Sequence, residues 1–327
     1  MIKTLEIMNF KSIKHLAMNC KRINVFIGKP NTGKSNILES VGLLSHIYYG
    51  SLKEFVRLEN MANIFYDGDV SENVVIKIKT NTHLGILKII FQENQFKGIY
   101  VKKDRNEAKA YTVFGYDYSI KMKDITRLVD FRDFKFYRFK VKDFFPTKES
   151  ISLKPPSGDN LLYILIINKK IRKLVKDILS EFGLRIVLKP IEGKIEVEKE
   201  YEDIVISYPY SLVSDTLQRI IFHLVAIESN ENSIIAFEEP EAHSFPYYTK
   251  FLAERIAYDT SNQYFISTHN PYFLLSILEK APKDDIAIFI TYYEDYQTKV
   301  KELSKEEKER ILDLELDVFF NIDDFIK

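Results

Sequence analysis

One eight-residue stretch, GKPNTGKS at Gly28 to Ser35, constrains this chain more than any other. It satisfies the pattern G-x-x-x-x-G-K-[ST] without a mismatch. The preceding RINVFI (Arg22 to Ile27) predicts a short buried strand, and SNILESVGLLSHIYY (Ser35 to Tyr49) predicts a helix. Strand, glycine loop and helix is the arrangement the pattern needs. Glycine lets backbone N–H groups turn inward toward phosphate oxygens, and the helix N-terminus adds partial positive charge. In such a loop Lys34 reaches the β- and γ-phosphates and the Ser35 hydroxyl holds Mg²⁺. Gly28, Asn31, Thr32, Gly33, Lys34, Ser35 and Asn36 form the candidate cradle.

The bulk numbers narrow the setting. A chain of 327 residues has room for one large domain or two. With 46% hydrophobic and 29% charged residues, a folded soluble protein is expected. Lys+Arg and Asp+Glu both number 47, so there is no global basic footprint for nucleic acid, although a local patch stays open. Cys20 is the single cysteine, which excludes an internal disulfide and a cysteine-based zinc site and suits a reducing cytosol. No apolar run approaches the length of a membrane span. Lys3, Glu6 and Lys11 interrupt any signal-peptide core. A cytoplasmic protein without a membrane partner is expected.

Residues 1–27 alternate in the manner of two short strands, with a turn near Asn19 to Arg22. Val74 to Thr80, Gly85 to Phe91 and Lys97 to Lys103 alternate apolar with polar residues and predict an antiparallel sheet. Asp130 to Phe145, dense in Phe, Lys, Arg and Asp, reads as an aromatic-backed strand with a solvated charged face. PPSGDN (Pro155 to Asn160) should cap one helix running from Leu161 to Gly183. Strands follow at Leu184 to Val187, Lys194 to Lys199 and Asp203 to Tyr208. From Ser214 onward helices and strands alternate, which implies a parallel sheet with crossover helices.

SIIAFEEPEAH (Ser233 to His243) is the second strong signal. An apolar strand ends in two acids where ligands bind in open α/β sheets. Glu238 is placed to hold Mg²⁺, and Glu239 to polarise an attacking water as general base. In QYFISTHNP (Gln263 to Pro271) another apolar strand ends at His269, which can contact a γ-phosphate or orient that water.

These segments carry a resemblance. GKPNTGKS, FEEPEAH and ISTHNP, in that order, resemble an ABC-type ATPase head of the SMC/RecF kind, most of all the compact OLD-type "AAA" ATPases without coiled-coil arms. IMNFKSIKHL (Ile7 to Leu16) with INVFIGKPNTGKSNILE (Ile23 to Glu39) is similar to that family's first hairpin and Walker A, and LKPPSGDNLLYIL (Leu153 to Leu165) to its segment before the helical lobe. The resemblance implies an α/β P-loop NTPase fold of ABC-ATPase type: an antiparallel β-lobe, a parallel core sheet and a helical lobe. It implies one head, with residues 1–150 as the β-lobe and P-loop, 151–212 as a helical and β insertion, and 213–327 as the signature, Walker B and switch-histidine lobe.

The resemblance also implies roles. Lys11 and Ser12 match an N-F-[KR]-S element that approaches the nucleotide. Glu238 matches the Walker B acid, Glu239 the catalytic glutamate, Glu241 to His243 the D-loop and His269 the switch histidine. Ser214 matches the signature serine, which contacts the γ-phosphate of the opposite subunit. ATP and Mg²⁺ are the implied cofactors, and an ATP-dependent homodimer the implied assembly. DNA and a separate nuclease or effector chain stay open as partners. Two features depart from the pattern. The family's S-x-G-x signature reads Ser214-Asp215-Thr216-Leu217, without the glycine. No glutamine stands out for the Q-loop: Gln92 and Gln95 are candidates, and Arg138 sits nearer the lobe junction.

Two functions compete at this stage: an ATP-hydrolysing dimerising switch, and an ATP-binding module with little turnover that regulates a partner. A transporter-type subunit would need an intact signature and a clear Q-loop. Asp284, Asp285, Asp323 and Asp324 read as acidic turns rather than nuclease metal ligands. Two basic clusters could meet phosphates: Lys169, Lys170, Arg172, Lys173 and Lys176, and Lys135, Arg138, Lys140 and Lys142. Solvated faces are the plainer reading of both.

Overall fold

The computed structural model describes residues 1–104, 107–125, 128–148, 150–313, 318–319 and 321–326. The chain opens with β1 (Ile2–Phe10), β2 (Ile13–Asn19), β3 (Ile23–Gly28), α1 (Lys34–Tyr49) and the one-turn α2 (Leu52–Phe55). Then come β4 (Val74–Thr80), β5 (Leu84–Gln92), β6 (Gln95–Lys103), β7 (Ala108–Tyr116), β8 (Met122–Ile125) and β9 (Phe134–Tyr137). A middle segment holds α3 (Leu161–Ile167), α4 (Lys169–Ser180), β10 (Leu184–Lys189), β11 (Lys194–Tyr201) and β12 (Ile204–Pro209). The rest is α5 (Asp215–Ser229), β13 (Ile234–Glu238), α6 (Pro246–Tyr258), β14 (Gln263–Ser267), α7 (Pro271–Lys280), β15 (Ile286–Glu294), β16 (Gln297–Glu302), α8 (Lys305–Asp313) and α9 (Ile322–Ile326).

Three sheets result among the described residues. An antiparallel sheet runs β2-β1-β4-β5-β6-β7-β8, and a small one runs β10-β11-β12. The core sheet runs β16-β15-β3-β14-β13-β9, parallel throughout except for β16. Its inner strands β15, β3, β14 and β13 are buried on both faces over most of their length, as a sheet covered on both sides requires. Successive residues take opposite sides. Val25, Phe237, Ile266 and Ile288 pack toward α3 to α7, whereas Phe26, Ala236, Phe265 and Phe289 pack toward α1 and the antiparallel sheet. Helix α1 lies in the second layer and is buried over most of its surface.

Several expectations are corrected. The turn joining β1 and β2 lies at Lys11-Ser12, not at residues 19–22, which instead lead into β3. Asn9 and Lys11 take positive φ there, so a tight turn forms without glycine. The expected single helix after Asn160 breaks at Asn168, whose extended backbone and side chain, accepting from Ile171 N–H at 3.0 Å, start α4 afresh. β9 has no solvated charged face: Lys135 is buried, bonded to Tyr49 and Ser152. Beyond β15 the described residues add the hairpin strand β16 and the helices α8 and α9, which no periodicity announced. Among the described residues no helix is long and apolar enough to cross a membrane.

Candidate functional site at the carboxyl edge of the core sheet

Strand register brings the motifs together. Ser267 pairs with Glu238 on one side and Phe26 on the other, and Thr291 pairs with Gly28. The strand ends carrying the P-loop, the paired acids and His269 therefore share one edge, with β3 between β14 and β15.

The glycine loop is tight because its back is filled. Gly28 (φ +154°) and Gly33 (φ +96°) stand where a Cβ would lie 2.3 Å from Thr291 Oγ1 and 2.0 Å from Thr298 Oγ1. Thr32 Oγ1 donates to Lys29 O at 2.8 Å and shares a 2.8 Å hydrogen bond with Thr291. Asn31 is exposed at positive φ. Lys34 is buried and donates to Gly28 O at 2.9 Å and Lys29 O at 2.8 Å. Burial pushes its pKa down to about 8, against the opposing pull of Glu239. α1 has neither a capping side chain nor an acid in its first turn, so its leading N–H groups suit an anion. Asn36 donates to Ser12 Oγ at 2.7 Å, and Ser12 in turn meets Thr298 Oγ1 at 2.7 Å, tying the first hairpin to the start of α1.

Glu239 takes φ +45°, which turns it out of the strand. His269 Nε2 lies 3.4 Å from Glu239 Oε1. Burial and the charge of Lys34 lower the His269 pKa, and Glu239 opposes them. Next to them Glu241 is buried and accepts a hydrogen bond from Thr268, while its other oxygen has no hydrogen-bond partner among the described residues. Burial raises its pKa to about 7.

Glu238 meets Arg138 at 3.4 Å and Arg57 at 3.5 Å. Both arginines also reach Glu39 of α1, which is fully buried and paired with Lys11 as well. Arg138, weighed in the sequence for the Q-loop region, thus touches the site. Gln92 and Gln95 face each other at the tip of the β5–β6 hairpin. Glu39 and Arg57 were not singled out from the sequence. The available signal was a lone acid inside the apolar run of α1.

Ser214 is not brought against the P-loop by any contact. Its hydroxyl caps α5, accepting from Leu217 N–H at 3.4 Å. Thr216, where the resemblance calls for glycine, donates to His243 O at 2.6 Å. Leu212, Phe245 and Tyr247 are exposed in this region. The second basic cluster is not an open patch: Lys135 is buried, Arg138 is paired and Lys142 is bonded to Asp159. In the first, Lys170 pairs with Glu228 and Arg172 donates to Leu165 O and Ile166 O. Asp285 pairs with Arg22, and Asp323 with Lys29. Among the described residues no group of three or more His, Cys, Asp or Glu could hold a metal by itself.

The residues present fit a nucleoside triphosphate with magnesium. The Ser35 hydroxyl and Glu238 carboxylate are hard oxygen donors, and Lys34 and the α1 N-terminus supply positive charge. Ser267 Oγ, buried beside Glu238 in the sheet, has no hydrogen-bond partner among the described residues.

Comparisons with known proteins bear on the fold. Residues 123–276, which include Glu238, Glu239 and His269, match the family described as "AAA domain, putative AbiEii toxin, Type IV TA system". No curated protein matches the chain. The structure is similar to an SMC head bound to the C-terminal winged-helix domain of ScpA (TM-score 0.54, 16% identity, 93% of this chain and 98% of that one). It is also similar to an SMC head with a coiled coil and joint derived from Pyrococcus yayanosii (TM-score 0.50, 10% identity, 96% of this chain and 99% of that one). The fold is that of a P-loop ATPase head of the SMC/ABC type, in a compact form with no coiled-coil arm among the described residues.

Proposed function

We propose that this chain binds and hydrolyses ATP with Mg²⁺ and works as an ATP-driven dimerising switch in DNA repair, maintenance or defence. The observation that carries the reading is the gathering of Lys34, Glu238, Glu239 and His269 at one sheet edge, with Glu239 and His269 in contact. The three stretches 1–150, 151–212 and 213–327 act as one head.

The chemistry follows from the side chains. Lys34 exchanges its loop carbonyls for phosphate oxygens. Ser35 and Glu238 hold magnesium, which supplies positive charge to the phosphoryl oxygens. Glu239 takes a proton from water while the water oxygen bonds to the γ-phosphorus and the bridging bond to ADP breaks. His269 orients that water beside Glu239. Lys11 is committed to Glu39, so its contribution is charge near the phosphates rather than direct contact.

The trans ligand in this reading is Ser214 of a second copy, with α5 aiming its positive end at the γ-phosphate. The exposed apolar side chains around it support an interface there. DNA would be held through the basic face of α4, where Lys169, Lys173 and Lys176 lie. A separate nuclease or effector chain would read the switch.

The test is the solution mass of Glu239→Gln protein with Mg·ATP and with ADP. A dimer seen only with ATP supports the switch. A monomer under both conditions, with ATP bound, rejects the homodimer. The Thr216–His243 hydrogen bond at the glycine-less signature favours a second reading, an ATP-binding module with little turnover that regulates a partner such as a nuclease. Wild-type protein that binds ATP and releases no phosphate would select it.

A further inference from the structure

The carboxylate read as the magnesium acid is held by two guanidinium groups from different parts of the chain. Arg57 Nη2 lies 3.5 Å from Glu238 Oε1, and Arg138 Nη2 lies 3.4 Å from Glu238 Oε2. Each oxygen has its own cation. Neither arginine is free behind it. Glu39 Oε1 accepts from Arg57 Nε at 2.6 Å and Arg138 Nη2 at 3.3 Å, and Glu39 Oε2 pairs with Lys11. Glu39 is fully buried among these partners, and removing them would leave a buried carboxylate unpaired. Three cations thus surround two carboxylates, leaving an excess of positive charge beside the phosphate loop.

We propose that Arg57 and Arg138 form a latch on Glu238 that competes with a divalent cation for the same carboxylate oxygens, and that Glu39 is the anchor onto which the latch withdraws. The proposal rests on the reading of Glu238 as the metal acid. A dication within a few ångströms of two guanidinium groups is repelled at the effective dielectric of a half-buried site. Metal entry therefore requires the arginines to let go of Glu238. Glu39, which already pairs with both, holds them beside Glu238 when they do. They are positioning residues acting through Glu238.

The experiment uses the full chain and manganese alone, without nucleotide, followed by the free Mn²⁺ electron paramagnetic resonance signal. Arg57→Gln, Arg138→Gln and the double variant are compared with wild type. Arg57 is half-exposed, so its variant should fold even where Arg138→Gln does not. The expected result is manganese affinity rising several-fold in each single variant and about tenfold in the double variant. Adding Glu238→Gln should abolish the gain, and Arg138→Lys, which retains the charge, should restore wild-type affinity. Unchanged manganese affinity in folded variants overturns the latch, whether their melting temperature falls or their metal-free ATP affinity falls. The second outcome would make the arginines phosphate ligands instead. ATP binding by wild type is measured separately. Manganese following the expected pattern with no ATP bound would keep the latch and reject the ATP reading.

Discussion

His269 Nε2 and Glu239 Oε1 stand 3.4 Å apart, although they come from the ends of different strands. Burial and Lys34 hold the imidazole pKa below its ordinary value, so near neutral pH the ring is uncharged and can orient a water rather than neutralise the glutamate. Glu239→Gln should keep ATP affinity within about threefold and slow single-turnover phosphate release by about 10²-fold or more. His269→Ala should slow release by a smaller factor, about tenfold to 10²-fold, because it removes orientation and leaves the base. Equal phosphate release from Glu239→Gln and wild type would remove Glu239 from the role of base.

The lysine of the glycine loop sets a pH limit on binding. Burial lowers Lys34 to about 8, and bound phosphate raises it again by adding negative charge. ATP binds the ammonium form. Affinity should therefore be flat below about pH 8 and fall above it, by up to tenfold per pH unit, until the pKa of the bound state is reached. Binding should take up a proton between those two values. Calorimetric titration in buffers of different ionisation enthalpy, from pH 7 to pH 9.5, reads both effects. An affinity independent of pH in Lys34-containing protein would contradict the expected linkage.

Much of this arrangement was legible in the chain. The glycine loop, the FEEPEAH strand end and His269 announce themselves because an apolar strand stops abruptly at polar residues, and the parallel sheet aligns those ends. What stayed hidden depends on distant or very local partners. Glu39 belongs to a helix buried nearly all round, so no polar stripe marked it, and its partners Arg57 and Arg138 lie 18 and 99 positions away. The break at Asn168 is invisible to periodicity, because apolar spacing continues across it while one side-chain cap restarts the helix. The Lys11-Ser12 turn lacks glycine, and positive φ at Asn9 and Lys11 does the work that a sequence reader seeks from glycine.

Ser214 carries two separable duties, a cap seen in the structure and the proposed trans contact. Ser214→Ala should cost about 1 kcal/mol of stability through loss of the cap on Leu217 N–H. Ser214→Asp retains an N-cap acceptor and should leave stability within about 0.5 kcal/mol of wild type. Its added negative charge would oppose a γ-phosphate. In the Glu239→Gln background both variants should therefore lose ATP-dependent dimers, and only the alanine variant should lose stability. Light scattering with Mg·ATP, alongside denaturant titration, separates the two. ATP-dependent dimers persisting in Ser214→Asp would place the trans contact elsewhere.

Glu241 gives the fold a pH dependence of its own. Burial raises its pKa from 4.5 to about 7, Thr268 donates to one oxygen, and the other has no hydrogen-bond partner among the described residues. The sign follows from linkage: the folded state binds this proton more tightly than the unfolded state. Its stabilising contribution is fully present below about pH 4.5 and is lost as pH rises through about 7. Glu241→Gln has no charge to bury. Relative to wild type it should therefore gain stability with rising pH, by on the order of 2–3 kcal/mol between pH 5 and pH 8.5. Any constant offset from the unpaired amide cancels in that difference. Chemical denaturation of both proteins at the two pH values measures it. A stability gap of the same size at both would mean that Glu241 is ionised in the fold at neutral pH, and would point to a cation held against its second oxygen.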